Sequence, residues 1–193
     1  MVKFFNVIAV IAFLFFVTIW ASLNMEWVQK VDQWGTNTFA GNQFLEPFHY
    51  IGETIFVVIV AIILVIFLYM KKRYRQVYFV LFALIGGTII NQGIKFIVQR
   101  PRPTIPEQLT SYSFPSGHSM LSMIYLMTLA YVLTTGRNAV HKKWAFCVAL
   151  VLTILVGLSR VAGSRHFMTD VLGGWSLGFA CFMAVVFWYQ RRK

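Results

Sequence analysis

The sequence has little charge for its length. Of its 193 residues only 12% are charged and six are acidic, whereas 59% are apolar. A soluble domain has about a quarter of its residues charged, so this chain has too little polar surface to coat a water-facing globule. The shortage of polar residues excludes a soluble nucleic-acid-binding protein, and the abundance of apolar residues excludes a disordered tail.

Cysteines are also scarce. Cys147 and Cys181 both lie inside apolar runs, which excludes a secreted disulfide scaffold and indicates small core residues. No group of His and Cys residues has the spacing of a metal site. We therefore expect no metal and no cofactor.

The sequence contains several long apolar runs. Since only a helix can satisfy the backbone of such a run inside lipid, we predict an all-α polytopic membrane protein forming one domain over residues 1–193. The first run could be mistaken for a signal peptide, but its apolar stretch is longer than usual and favours an uncleaved helix. Six transmembrane helices are predicted at 4–23, 51–70, 77–97, 118–134, 144–158 and 171–189.

The cations are distributed unevenly over the predicted connections. Eleven of the seventeen fall on one side of the membrane, and the other side contains six cations together with every acid. By the positive-inside rule, both termini are expected to be cytoplasmic. The net charge of +11 then orients the chain and meets anionic membrane lipids, so nucleic acid is not needed to explain it. The eleven are Lys3, Lys71, Lys72, Arg73, Arg75, Arg137, Lys142, Lys143, Arg191, Arg192 and Lys193.

The longest outer connection covers residues 24–50. Within it Trp27, Val28, Val31 and Trp34 recur at helical spacing. This pattern is typical of a short helix in the membrane interface, with its Trp side chains at headgroup depth. A plain anchoring loop and a lid over a substrate remain alternatives.

Three polar segments occur at the predicted outer helix ends. In the first, KFIVQRPRP, Lys95 closes the third span and Arg102 and Pro103 follow, with prolines that end the helix and keep the chain extended. Taken alone, Lys95 is also compatible with an anchor that extends its amine to the interface.

The second segment, FPSGHSM, opens the fourth span. Ser116 and Gly117 place free backbone N–H groups at the helix start, an arrangement that favours an anion, and glycine permits close approach. The same residues could simply cap the helix. His118 would be costly at the membrane boundary without a partner or a role.

The third segment, SRVAGSRHFMTD, joins the fifth and sixth spans. If the last helix has begun by His166, Asp170 lies one turn further on the same face and can accept a hydrogen bond from the ring. A histidine held by an aspartate can act as a nucleophile or a base. Arg160 adds a cation, although a salt-bridged helix hairpin would explain the same residues.

Together the segments supply cations, helix-start N–H groups, two histidines and a carboxylate, which is the set that phosphate chemistry requires. The spacing K-x6-R-P, the run PSGH and the pattern SR-x5-H-x3-D are similar to the three-part signature of the type 2 phosphatidic acid phosphatase (PAP2) superfamily. All eleven fixed positions of that signature are present in order between residues 95 and 170.

The resemblance implies a metal-independent phosphatase with its site at the outer helix ends. His166 would attack phosphorus and form a phosphohistidine, and Asp170 would fix its tautomer. His118 would protonate the leaving oxygen and later activate water. The phosphate oxygens would be bound by Lys95, Arg102, Ser116, Gly117 and Arg160.

The resemblance also implies the substrate class, a lipid phosphate or diphosphate. By similarity to small bacterial members of the family, the candidates are phosphatidylglycerophosphate, phosphatidate and undecaprenyl diphosphate. A lipid phosphotransferase could use the same His-Asp pair, and a non-enzymatic anion channel or carrier could use the outer cations. Soluble vanadium haloperoxidases share similar motifs, but six spans argue against them. No obligate protein partner is inferred.

Overall fold

The computed structural model describes residues 2–105 and 110–191, except for the side chains of residues 2–5. Within these residues the chain forms helices, turns and irregular segments, without a β-strand. The α-helices are α1 (Val2–Ala21), α2 (Glu26–Phe39), α3 (His49–Gly52), α4 (Thr54–Met70), α5 (Tyr74–Val98), α6 (Gly117–Leu133), α7 (Ala139–Ala162) and α8 (Met168–Arg191), and a 3₁₀ turn spans Glu46–Phe48.

The helices α5, α7 and α8 are long and apolar enough to cross a membrane. Two bent pairs, α1 with α2 and the Glu46–Gly52 segment with α4, raise the number of candidate spans to five. Helix α6 is apolar but has only 17 residues. The chain is therefore an all-α, multi-pass membrane protein with three to five candidate spans, and the count of six stays a prediction.

The predicted second span is broken near its start. Instead of one helix over 51–70, the chain forms α3 and α4, which are bent by 45° at Glu53. Glu53 has an extended backbone, with φ −62° and ψ 140°, so it cannot continue the helical hydrogen-bond ladder. The break leaves the Glu53 side chain at a helix end that faces α6.

The outer connection contains the short helix that the Trp spacing predicts. Helix α2 turns away from α1 by 102°, and Trp27 and Trp34 are exposed on it. Its opposite face buries Val28, Asp32 and Gly35 against the rest of the protein. A helix at this angle runs across the end of the bundle. Its place in the membrane interface stays a prediction.

Helix α6 is the central element, with buried residues on every side. It packs closely on α8 at two glycines. A Cβ atom at Gly174 would lie 2.7 Å from the Ser116 carbonyl oxygen, and one at Gly178 would lie 2.7 Å from the Met120 carbonyl oxygen. Because neither position has room for a side chain, the two helix backbones approach each other directly. This close approach fixes the start of α6 against the start of α8.

The polar residues gather at the two ends of the bundle. At one end Arg75 donates to the Tyr189 carbonyl at 3.0 Å and Gln76 donates to Thr135 at 3.3 Å. The helix connections at this end contain most of the predicted cytoplasmic cations. Glu107, an acid assigned to the outer side, and Arg192 and Lys193 lie outside the described residues.

Candidate active site at the ends of four helices

At the other end of the bundle the three polar segments lie side by side. The Ser116 N–H donates to the Asp170 carbonyl at 3.0 Å, joining the start of α6 to the start of α8. Arg102 donates from Nη1 to the Arg165 carbonyl at 2.7 Å, joining the segment after α5 to the α7–α8 connection. These two bonds join residues that are 54 and 63 positions apart in the sequence and bring them to one surface.

His166 and Asp170 are in contact, although α8 does not begin as early as the sequence argument assumed. The helix starts at Met168, two residues after His166. The pair still forms because Asp170 Oδ2 accepts a bond from the Phe167 N–H at 2.9 Å, as in a capping box. The same oxygen lies 3.4 Å from His166 Nδ1. Both side chains are buried, with 2% and 0% of their surface exposed.

The contacts on both ring nitrogens define the tautomer of His166. Arg102 Nη1 lies 3.1 Å from Nε2, and a guanidinium can only donate. Nε2 is therefore unprotonated and accepts from Arg102 with its lone pair, and the proton on Nδ1 points to Asp170. This is the tautomer in which Nε2 is the nucleophilic atom.

The electrostatic surroundings keep this ring neutral. Burial lowers the pKa of His166 to about 3, with Arg102 and Lys95 acting in the same direction and Asp170 acting against it. A neutral imidazole at physiological pH has its lone pair available for attack.

Two of the three predicted phosphate-binding cations are held by carbonyl groups. Lys95 Nζ donates to the Tyr112 carbonyl at 2.5 Å. Arg102 donates from Nε to the Ser111 carbonyl at 2.7 Å and from Nη2 to the Ser111 hydroxyl at 2.9 Å. Arg102 is thereby held in contact with the His166 ring, and Lys95 lies close enough to act on the ring electrostatically.

Arg160, at the end of α7, differs from the other two cations. Its side chain is buried, and its Nε has no hydrogen-bond partner among the described residues. A buried donor without a partner is costly, and this donor fits the anion-binding role that the sequence predicts for Arg160.

The start of α6 has the two features expected of its PSGH motif. The Ser116 hydroxyl, which is buried, accepts from the Ser119 hydroxyl at 3.0 Å and caps the helix. Gly117 follows at the first helical position, where a Cβ atom would lie 3.3 Å from Asn91 Oδ1. The sequence alone could not show whether the Ser116 hydroxyl caps the helix or binds an anion. In the structure the hydroxyl caps the helix.

His118 has a partner that the sequence argument missed. Its Nε2 lies 3.3 Å from Glu53 Oε1, across the break between α3 and α4. The sequence predicts Glu53 only as one of the acids on the outer side. The only signal in the sequence was a charged residue inside an otherwise apolar run, which favours a specific partner.

Arg100 and Asp32 are a second pair that the sequence argument passed over. Arg100 donates from Nη1 to Asp170 Oδ1 at 2.6 Å and from Nη2 to Asp32 Oδ2 at 2.5 Å. Although burial opposes it, the two carboxylates raise the pKa of Arg100 above its ordinary value. This arginine is therefore permanently charged and bridges Asp32 on α2 to Asp170 on α8.

The donor set of the site suits an anion better than a metal ion. Among residues 2–105 and 110–191, no three His, Cys, Asp or Glu side chains are placed to share a metal. The side chains around His166 are instead cations, and cations attract phosphate and repel a metal.

The comparison with known proteins agrees with this chemistry. The PAP2 superfamily model matches residues 76–193, more than half of the chain. Phosphatidylglycerophosphatase B of Bacillus subtilis is 40% identical over 111 residues, which cover 54% of this chain and 55% of that protein. Undecaprenyl-diphosphatase of Sulfolobus acidocaldarius is 26% identical over 135 residues, covering 65% of this chain and 59% of that protein. The matches thus span little more than half the length of either relative.

Solved structures extend the similarity to the whole fold. The crystal structure of a transmembrane PAP2-type phosphatidylglycerolphosphate phosphatase from Bacillus subtilis superposes with a TM-score of 0.87 at 28% identity, covering 96% of this chain and 97% of that one. That of Aquifex aeolicus LpxE gives a TM-score of 0.55 at 25% identity, covering 74% and 83%. The chain belongs to the PAP2 superfamily, a family of metal-independent phosphatases.

Proposed function

We propose that this chain is a membrane lipid phosphatase that hydrolyses a lipid phosphate or diphosphate through a phosphohistidine intermediate. The observation that carries the proposal is the arrangement around His166. Its Nδ1 is engaged by Asp170, and its Nε2 faces Arg102. A neutral nucleophile beside fixed cations is what attack on a phosphate dianion requires.

In the first step, His166 Nε2 forms a bond to phosphorus while the bond to the leaving oxygen breaks. The oxygens of the phosphoryl group are bound by Lys95, Arg102 and Arg160, together with the N–H groups at the start of α6. In this step Arg102 exchanges its contact with Nε2 for a contact with the phosphate. Arg160 gains the partner that its Nε lacks.

His118 enters the first step as an imidazolium, supplies the proton that the leaving oxygen needs, and is left as the neutral imidazole. In the second step the same imidazole takes a proton from water, whose oxygen attacks phosphorus as the N–P bond breaks. Inorganic phosphate and neutral His166 are the products, so the cycle is balanced without a metal or a cofactor. The Glu53 carboxylate, 3.3 Å from Nε2, holds the His118 ring in place between the steps.

The substrate class follows from the position of the site. The catalytic groups lie at the ends of apolar helices, so a lipid headgroup can reach them while its tail stays in the hydrocarbon. The names of the relatives support phosphatidylglycerophosphate and undecaprenyl diphosphate as first candidates, with phosphatidate as the third. We further propose six spans, cytoplasmic termini and an outward-facing site, in keeping with the cation distribution.

A phosphate-release panel tests the proposal. Purified protein in detergent is given phosphatidylglycerophosphate, phosphatidate or undecaprenyl diphosphate, with and without EDTA, and the His166→Ala variant is run alongside. We expect phosphate release from at least one lipid, insensitivity to EDTA, inhibition by vanadate and no activity in the variant. Vanadate should inhibit because it adopts the five-coordinate geometry of the transition state.

Three outcomes would contradict the proposal. An absolute requirement for Mg²⁺ would contradict the metal-free route. Transfer of the phosphoryl group to an added alcohol, without release of phosphate to water, would indicate a phosphotransferase. Anion flux in vesicles with no turnover of any lipid would indicate a channel or carrier.

A further inference from the structure

Arg100 is a buried arginine that connects two carboxylates. Only 13% of its side-chain surface is exposed, and each Nη atom donates to a different aspartate, Asp170 and Asp32. Nη1 also donates to the Thr169 hydroxyl at 2.9 Å, and the guanidinium lies over the Phe167 ring at 4.4 Å. A ring on one face and hydrogen bonds from both Nη atoms fix the orientation of the guanidinium.

Asp32 forms the far end of this connection. Its Oδ1 accepts from the Thr169 N–H at 2.9 Å and from the Thr169 hydroxyl at 2.7 Å. A carboxylate at this point satisfies a free N–H at the start of α8 and complements the helix dipole. Asp32 lies on α2, so this one residue ties α2 both to the first turn of α8 and to Arg100.

Asp170 has to meet two requirements in the phosphatase proposed above. It must accept the Nδ1 proton of His166, and its own charge must not draw a second proton onto Nε2. Arg100 binds Oδ1 at 2.6 Å, while Oδ2 faces His166 at 3.4 Å. The strong ion pair therefore lies on one carboxylate oxygen, and the other oxygen is left to orient the ring.

We propose that Arg100 and Asp32 are positioning residues for His166, acting through Asp170 and the first turn of α8. The proposal rests on the proposed phosphatase function, because it assigns these residues to the step in which His166 attacks phosphorus. Neither residue binds phosphate in this scheme. Both remain in place throughout the reaction cycle.

Because charged groups surround His166, the proposal also predicts how the pH dependence of kcat/KM changes in the variants. Removing Arg100 leaves Asp170 with less compensation, so the pKa of His166 rises and the acid limb of kcat/KM moves to higher pH. The sign follows because the nucleophile must be neutral and a more basic ring is protonated at a higher pH. The charges that act on the ring are Asp170 on α8, Lys95 on α5 and Arg102 after α5. Arg100 pairs with Asp170 and Asp32, Arg160 on α7 accepts the His166 N–H at its carbonyl, and Arg165 precedes His166 in the chain.

The test compares Arg100→Gln, Arg100→Lys and Asp32→Asn on the most rapidly hydrolysed lipid of the phosphate-release panel. In Arg100→Gln we expect kcat to fall by about 10- to 100-fold, the range typical of partners that orient a functional histidine, with KM unchanged. Arg100→Lys keeps the positive charge but loses the paired N–H donors of the guanidinium, so the acid limb of kcat/KM should stay at the wild-type pH. Asp32→Asn should lower kcat less, because its Oδ1 can still accept from Thr169.

Inhibition by inorganic phosphate distinguishes residues that position His166 from residues that bind the phosphate. The inhibition constant should stay near the wild-type value in the Arg100 variants and rise in Arg160→Lys. A double variant, Asp32→Asn with Arg100→Gln, should be no slower than Arg100→Gln alone, since the two residues act as one unit. Lys30→Gln is the matched control, because Lys30 is an exposed cation on the same helix as Asp32.

Several results would overturn the inference. They are wild-type kcat in the Arg100 variants, a raised inhibition constant of inorganic phosphate in the same variants, or an acid limb of kcat/KM that does not move in Arg100→Gln. If Arg100→Gln does not elute as a folded species from size exclusion, Arg100→Lys and Asp32→Asn decide the outcome through the kcat and KM comparison. An inactive wild-type protein would instead refute the proposed function, and the inference with it.

Discussion

At the scale of single residues, Arg160 is one of the side chains with a buried polar atom that lacks a partner in the part of the chain that the structure describes. Its buried Nε has no hydrogen-bond partner among the described residues. Lysine would keep the charge but lose the fork that binds two phosphate oxygens. For Arg160→Lys we expect kcat/KM to fall by about tenfold or more, equivalent to about 1.4 kcal/mol of transition-state stabilisation.

The control for Arg160 is the same substitution at an exposed arginine of the opposite end, Arg137→Lys. Steady-state phosphate release and thermal unfolding in detergent are measured for both. Near-normal kcat/KM in Arg160→Lys would return this residue to a purely structural role at the end of α7.

The roles of His118 and His166 can be distinguished by comparing substrates with different leaving groups. An alkoxide from phosphatidate needs a proton, and general acid help is typically worth about 10² to 10⁴ in rate, whereas an aryl oxide leaves without it. His118→Ala should therefore slow the first burst from phosphatidate far more than the burst from an aryl phosphate. His166→Ala should give no burst with either substrate.

This comparison is made under single-turnover conditions, because His118 also acts in the second step. Equal losses for both substrates in His118→Ala, or a surviving burst in His166→Ala, would reverse the assignment. Glu53→Gln is an informative companion variant. It should show a weaker form of the His118→Ala pattern if Glu53 only orients the ring.

How much of the site the sequence predicts depends on how local each contact is. His166 and Asp170 are four residues apart, so their contact can be derived from helical spacing even though α8 starts later than assumed. The pairing of Arg100 with Asp32 depends on the 102° turn between α1 and α2. No local pattern encodes that angle, so both residues were predicted only as outer charges.

At the scale of helices, the sequence predicts the apolar elements well and their interruptions poorly. Each predicted span overlaps a helix of the structure, because long apolar runs leave the backbone no alternative to a helix. The break at Glu53 was missed because seventeen mostly apolar residues follow it and dominate the pattern. Polar ends such as Ser159 and Arg160 extend α7 beyond its apolar run.

The contact between α6 and α8 gives a prediction about two glycines. A Cβ at Gly174 would lie 2.7 Å from the Ser116 carbonyl oxygen and 2.9 Å from Ser119 Cβ. Gly174→Ala must push the helices apart, and overpacking of this kind costs about 1 to 3 kcal/mol. We expect a lower Tm together with lower activity, because the same contact holds the Ser116 bond to Asp170.

Gly86→Ala is the matched control, because a Cβ there meets nothing within 4 Å. It replaces a helical glycine with a better helix former, so Tm should be unchanged or slightly higher. Thermal unfolding and phosphate release are measured for both variants. Equal effects of the two substitutions would contradict close packing at Gly174.

At the scale of the whole molecule, the two polar ends of the bundle predict its orientation in the membrane. In a background without Cys147 and Cys181, a thiol placed at Thr104 should react with an impermeant reagent on intact cells. A thiol at Lys142 should react only after lysis. Both positions are exposed, and they lie at opposite ends of the chain's helices. The reverse pattern would place the site on the cytoplasmic side.

The shortness of α6 has a consequence for the bilayer itself. Seventeen residues at about 1.5 Å each give a helix of about 26 Å, less than the hydrocarbon thickness of about 30 Å. If α6 is one of the six proposed spans, its start, where Ser116 and His118 lie, is below the headgroup plane unless the surrounding lipid thins. This is a local hydrophobic mismatch, and its elastic cost falls when the membrane is thin.

Reconstitution into phosphatidylcholine vesicles of increasing acyl length measures that cost. Turnover should be fastest in the shorter lipids and decline as the bilayer thickens, while turnover in detergent, which has no fixed thickness, sets the reference. A rate independent of acyl length would contradict this expectation. If the dependence holds, the phosphate need not rise out of the leaflet to be cleaved, because the depression in the membrane brings the headgroup layer down to the histidines.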